Sequence, residues 1–283
     1  MRVGAPLGRK LLALGHDVRL MPPAYVKPYV KRGKTDAADA EAICEAVTRP
    51  TMRFVAVKSV DQQAVLMLHK TRDLLVRQRT ALINALRAHL SEYGIVTSKG
   101  PGGVTALMKL LHEGQEKLPA YARSALHTIG AQLRSLASEV DRLEALILTW
   151  HRADDTSRRL ATIPGIGPIT ASAIAAAVPD ASLFRSGRQF AARLGPTPRP
   201  HSSGGKERLG GMSKQGDGYR KLLVVGATAV MRMAHKDASR QPWLARLLKR
   251  KPVEIATVGL ANKTARIAWA VMARKEVYAV AAA

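Results

Sequence analysis

Two adjacent hydroxyls, Ser202 and Ser203, lie in the run Arg193-Leu-Gly-Pro-Thr-Pro-Arg-Pro-His-Ser-Ser-Gly-Gly-Lys-Glu-Arg-Leu-Gly-Gly-Met-Ser-Lys-Gln-Gly-Asp217. Gly204 and Gly205 remove side-chain bulk and leave backbone N–H groups open, while Arg199, Lys206, Arg208 and Lys214 surround the hydroxyls with positive charge. A phosphate can reach a serine placed this way. Attack on a phosphodiester further requires that the hydroxyl lose its proton and that the leaving oxyanion be stabilised. The simpler alternative is a glycine loop that binds phosphate with no covalent role. His201 is adjacent and is a candidate base. Tyr219 belongs to the other common nucleophile type for strand exchange, although packing or a phosphate hydrogen bond explains it more simply.

A second pattern is carboxylic. Asp36 and Asp39 fall three apart in Thr35-Asp-Ala-Ala-Asp-Ala-Glu-Ala-Ile-Cys-Glu-Ala-Val47, a run of helix formers behind a Thr cap. Both belong to the first turn, where they can hold a hard cation such as Mg²⁺. A solvated first turn paired with the helix dipole is the plainer reading, and Glu41 and Glu45, most simply solvent-facing, extend the same acidic segment.

These groups sit in a strongly basic chain of 283 residues, with 45 Lys and Arg against 21 Asp and Glu and a net charge of +24. That excess points to a polyanion, nucleic acid first. Arg185 to Lys251 alone carries 16 Lys and Arg against three acidic residues, so the main contact is expected there. No apolar run is long enough for a membrane span, Met1 is not followed by a signal peptide, and the single Cys44 rules out an intrachain disulfide or a multi-cysteine zinc site. A cytoplasmic location follows as an expectation. Aromatic residues make up only 4% of the chain, which favours backbone contacts over base stacking.

The elements that must position these residues are mainly helical. Residues 5–15 read as a short helix and Asp17–Met21 as a strand, the tail of an α/β unit. Long helical patterns cover roughly 61–93 and 119–151, with a shorter one around 104–113. In the second, Ala122, Leu126, Ile129, Leu133, Leu136, Val140, Leu143, Ile147 and Trp150 alternate steps of three and four, a coiled-coil seam; Leu68, Leu75, Leu82, Leu86 and Leu90 supply a partner stripe. The pair predicts either an antiparallel hairpin within the chain or a dimer stalk, the latter favoured by the narrow seam. Leu160 to Ile174 has the form of a helix-hairpin-helix whose turn glycines, Gly165 and Gly167, can offer N–H groups to a phosphate; a tight turn between packed helices is the alternative. A last helix runs through Leu260 and Ile267, apolar inward and basic outward.

Lys34-Thr-Asp-Ala-Ala-Asp-Ala40, the coiled coil, Ile163-Pro-Gly-Ile-Gly167, Arg188-Gln-Phe-Ala-Ala192 and the Ser-Ser-Gly-Gly-Lys loop together resemble the DEDD transposases of bacterial insertion sequences, relatives of the Piv DNA invertase. The resemblance covers nearly the whole chain, with the motifs in family order. It implies a mainly α protein in three parts: a partial RuvC-like (RNase H-like) domain at 1–58, a coiled-coil stalk at 59–152, and a C-terminal transposase domain at 153–283. It also implies Mg²⁺ at Asp36 and Asp39, a serine–DNA intermediate at Ser203 with Ser202 as alternate, and DNA as partner. A guide RNA, a dimer or tetramer, and association with the nucleoid belong to the same expectation. The family's upstream aspartate and glutamate have no counterpart here, because Asp17 is the only acidic residue before Asp36. The chain as given is therefore expected to begin inside the first domain, and to bind nucleic acid but recombine poorly. The rival expectations are a non-catalytic DNA- or RNA-binding remnant and a junction-resolving nuclease that uses metal and water.

Overall fold

A computed structural model describes residues 4–31, 33, 35–113, 118–198, 201–208, 210–212, 218–236 and 242–279. Arg199 and Lys214, two of the expected phosphate contacts, lie outside the described residues.

Within them the fold is helical. The N-terminal part holds α1 (Gly4–Ala13), α2 (Pro23–Val26), a 3₁₀ turn (Lys27–Tyr29) and α3 (Asp36–Thr48). Two long helices follow, α4 (Val60–Ser91) and α6 (Ala120–Ala153), with α5 (Pro101–Glu113) between them. The C-terminal part contains α7 (Asp155–Leu160), α8 (Pro168–Ala177), a 3₁₀ turn (Ala181–Leu183), α9 (Gly187–Leu194), α10 (Gly218–Lys236), α11 (Pro242–Leu248) and α12 (Val253–Arg274).

Local chemistry sets several of these starts. Thr35 Oγ1 accepts from Ala38 N–H at 3.2 Å and begins α3 where the sequence places it. Ser59 and Gln62 form a reciprocal capping box at the head of α4, with bonds of 3.1 and 3.0 Å. Asp154 accepts from Ser157 N–H at 2.6 Å to open α7.

The expected strand at Asp17–Met21 is replaced by one isolated antiparallel bridge, in which Val55 N–H donates to Leu20 C=O at 2.7 Å. Among the described residues the two backbones pair at that one position, and a ladder needs successive paired residues to count as a strand. The seam of α6 is satisfied inside the chain. Leu126, Leu133, Val140, Leu143 and Ile147 are buried, and Leu86 and Leu90 near the end of α4 meet Leu126 and Leu133 near the start of α6. At the other end Arg72 Nε donates to Glu144 Oε1 at 2.7 Å, which makes the pair antiparallel. The stripe that suggested a dimer stalk is thus the interior of a hairpin. Leu107 and Leu111 of α5 close its far end, and Gly130 lets them in: a Cβ there would stand 3.0 Å from Leu111 Cδ1.

The other end is rooted in the C-terminal core. Val65 and Leu66 of α4 and Trp150 of α6 pack on Ala176 of α8. Helix α8 is rich in small residues, and Thr170 through Ala176 are all buried, among α4, α6, α7 and α10. Phe190 and Leu194 of α9, Leu223 and Met231 of α10, Leu244 of α11 and Leu260 of α12 complete this core.

Candidate functional site

Ser202 and Ser203 lie on a small, fully exposed β-hairpin. His201 N–H donates to Arg208 C=O at 2.7 Å, Lys206 N–H donates to Ser203 C=O at 3.1 Å, and Ser203 and Lys206 form an antiparallel bridge. The two central residues are Gly204 and Gly205, at φ +56° and +74°. Positive φ at both positions is the requirement of a type I′ turn, whose twist matches that of the flanking strands. An added Cβ at either glycine would meet nothing within 4 Å. Backbone conformation, not lack of room, therefore demands glycine here.

The hairpin treats its two serines differently. Ser202 Oγ accepts the Arg208 N–H at 3.3 Å and is part of the scaffold. Ser203 Oγ, one residue nearer the tip, has no hydrogen-bond partner among the described residues. Lys206 and Arg208, both exposed, follow it on the returning strand. The base of the loop is fixed from below: Pro196 is buried, and its carbonyl accepts from Asn262 Nδ2 of α12 at 2.9 Å. Gly195 caps α9 in the left-handed region, at φ +90°, against the stem of Arg220. Asn262 was not legible in the sequence, since nothing local marks a partner 66 residues away.

Asp36 and Asp39 are exposed on the first turn of α3, which packs on α2 and the Lys27–Tyr29 turn. They are thus carried by the N-terminal part, whereas the hairpin belongs to the C-terminal part. No group of three or more His, Cys, Asp or Glu converges among the described residues. Two carboxylates nonetheless suit Mg²⁺, which keeps several waters and uses one or two carboxylates together with substrate phosphates.

The glycines of the hairpin between α7 and α8 also divide. Gly165, at φ +88°, is packed against Gly226 of α10 so closely that a Cβ on Gly226 would collide with the Gly165 carbonyl. Gly167 is the exposed N-cap of α8, with open space around it. Tyr219 is half-buried against the C-terminal core.

A groove of about 570 Å³ runs between the N-terminal segments and the C-terminal core, and Arg53, Lys58 and Arg193 line it. Burial lowers the pKa of Lys58, and the charges of Arg193 and Lys70 lower it further. Asp180 lines the same groove, so three cations face one carboxylate there and the balance is positive. No helix among the described residues is long and apolar enough to cross a membrane.

Comparison with known proteins places both halves. Residues 157–243, which include the serine hairpin, match the transposase family IS116/IS110/IS902, and residues 3–95, which include Asp36 and Asp39, match the DEDD transposase profile of the IS110 type. The chain belongs to this transposase family. It is 49% identical to a probable family 20 transposase of Pseudomonas aeruginosa, across 95% of this chain and 81% of that one. It is 48% identical to the putative transposase y4pF/y4sB of Sinorhizobium fredii, covering 95% of this chain and 70% of the relative. The transposase for insertion sequence element IS1328 of Yersinia enterocolitica is 39% identical over 96% of this chain and 81% of its own length. An IS110-family transposase acts on DNA, which gives the +24 charge its partner.

Proposed function

We propose that this chain is built to cut and rejoin DNA at an insertion sequence through a covalent serine–DNA intermediate, with Ser203 as the nucleophile, and that with Asp36 and Asp39 as its two family carboxylates it recombines slowly. The observation that carries this reading is the division of labour on the hairpin: the Ser202 hydroxyl is engaged by Arg208 N–H, while the Ser203 hydroxyl stands unengaged among the described residues beside the Gly204-Gly205 turn. Ser203 Oγ attacks phosphorus, an Oγ–P ester replaces the strand's P–O ester, and the hydroxyl proton passes through a base to the departing strand oxygen, which leaves as an alcohol. Ester bond energy is conserved, so a new strand end can reverse the step without hydrolysis. Lys206 and Arg208 stabilise the negative charge that builds on the phosphoryl oxygens.

Asp36 and Asp39 are the residues that would hold Mg²⁺, which when bound supplies Lewis-acid stabilisation of a phosphodiester under attack. The exposed N-cap at Gly167 offers a non-specific phosphate contact, with Gly165 holding the turn in place. Arg53, Lys58 and Arg193 extend the positive path toward the N-terminal part. A guide RNA and a second protomer complete the reading, because phosphate-contacting cations carry no base code and exchange of two DNA ends needs at least two nucleophiles.

The DEDD-type match favours a second reading, a junction-resolving nuclease in which Asp36 and Asp39 would hold a divalent metal and water, not serine, would be the attacking group. Trapping on a nicked or mismatched DNA end separates the two. A covalent protein–DNA adduct that Ser203→Ala abolishes, with salt-dependent binding retained, supports the serine mechanism. Hydrolysed ends that persist in Ser203→Ala support the nuclease, and binding without either product leaves only a DNA binder.

A further inference from the structure

Two of the scarce aromatic residues share a groove with cations. The chain has three tryptophans, and two of them, Trp243 of α11 and Trp269 of α12, line one groove of about 730 Å³ beside the first turn of α9. Arg188, Lys263 and Arg266 line it too, and no carboxylate does among the described residues. Trp269 is fixed in place, its Nε1–H donating to Ala181 C=O at 3.2 Å. Trp243 carries the Lys263 ammonium over its ring, 4.2 Å from the centroid. Burial lowers the pKa of Lys263, and Arg246 adds to the effect. The floor of the groove is tight: Gly187 lies against the backbone of Arg266, whose carbonyl would stand 3.1 Å from a Cβ at that position.

We propose that this groove binds an unstacked nucleotide of a single-stranded nucleic-acid segment, its base against Trp243 and its phosphates held by Lys263, Arg266 and Arg188. The argument is one of complementarity. A cation group without a facing carboxylate calls for an anion, and an indole face beside it calls for a flat, polarisable partner; a nucleotide has both in one unit. In the free protein Lys263 covers the indole, and on binding the ammonium moves to the phosphate and the base takes its place. A duplex keeps its bases stacked inward and cannot present that unit. The proposal rests on the reading of the chain as a nucleic-acid-processing protein, yet it is independent of Ser203 chemistry, because it concerns binding alone.

The test is a fluorescence titration of the full chain carrying Trp150→Phe, which removes the emission from outside the groove. The probes are oligo(dT), oligo(rU) and a duplex of the same length. Single strands are expected to quench the remaining emission and the duplex to bind with little quenching; stronger quenching by one of the two single strands names DNA or RNA as the occupant. Lys263→Gln with Arg266→Gln is expected to weaken single-strand binding about tenfold and to reduce the slope of log K against log salt by about 1.4. Trp243→Phe keeps an aromatic face, so affinity should hold while most of the quenching disappears. Unchanged affinity and salt slope in the double variant, quenching that survives Trp243→Phe, or equal quenching by an acidic peptide would overturn the proposal. Failure here with a Ser203 adduct intact removes the groove and leaves the catalytic reading standing.

Discussion

His69 of α4 and Ser172 of α8 meet with Nε2 3.1 Å from Oγ, and this contact spans 103 residues of sequence to join the helical hairpin to the C-terminal core. Ser172 already donates its hydroxyl to the Pro168 carbonyl at 2.7 Å. The serine oxygen must therefore accept, and His69 donates from a neutral imidazole with the proton on Nε2. Burial, with Arg72 adding to it, lowers the His69 pKa to about 4. In the unfolded chain the same group titrates near its ordinary value of about 6.5. The unfolded state thus binds more protons as pH falls through 6.5, and stability is lost progressively until about pH 4, below which this term is flat. The loss is on the order of 3 kcal/mol. Thermal melts of the parent and His69→Gln between pH 7.5 and 4 check it: the parent should lose stability more steeply than the variant, which keeps a donor to Ser172 without the proton. Parallel slopes would remove His69 from the linkage.

The Gly204-Gly205 turn is set by backbone conformation in open space. Gly205→Asn should be accepted, since Asn tolerates positive φ, whereas Gly205→Val should disorder the hairpin at a cost of about 1–2 kcal/mol confined to the loop. The melting temperature of the whole chain should hardly move, because residues 201–208 are all exposed. DNA-adduct yield should fall with Val and survive with Asn.

Gly226 has the opposite character. A methyl group at this position runs into the Gly165 carbonyl, and both partners are backbone on packed elements. Gly226→Ala is expected to destabilise the C-terminal core by about 1–3 kcal/mol. Gly167→Ala, with open space around it, should cost well under 1 kcal/mol, as loss of a modest N-cap does. Urea unfolding of the two variants side by side measures the difference.

Much of this architecture was legible in local patterns. Thr35 announced one helix start, and the three-four spacing from Leu126 to Ile147 announced a buried helical face; the Ser59–Gln62 box at the head of α4 went unread. What covers that face was not legible, because a stripe of leucines serves a neighbour in the same chain as well as one in another. The strand at Asp17–Met21 failed for a related reason: alternation describes one segment, while a ladder needs a second one in register, and only Leu20 finds it at Val55. The serine loop was visible as Ser-Ser-Gly-Gly between cations, although its hairpin form was not read. The distinction between Ser202 and Ser203 depends on a hydrogen bond from Arg208, which spacing does not encode. The Lys58 groove and the two-tryptophan groove are assembled from residues far apart in sequence and left no local trace.

Lys58 offers a test of function against stability. It is half-buried beside two cations, and burial and those charges lower its pKa. Lys58→Met removes like-charge repulsion, so the free protein should be as stable as the parent or more so. DNA binding should weaken, with the salt slope reduced by about 0.9, the loss of one phosphate contact. Melting curves together with binding measured across a salt series check both halves, and an unchanged slope would take Lys58 out of the DNA path.

The central claim is that Ser203 becomes covalently attached to DNA. The most direct measurement traps the adduct on a DNA end, digests the protein and locates the attached nucleotide by mass. The account predicts the nucleotide on Ser203, retention of the adduct in Ser202→Ala and its absence in Ser203→Ala. Attachment at Ser202 or Tyr219, or strand cleavage in the Ser203→Ala protein at the parent rate, would contradict it.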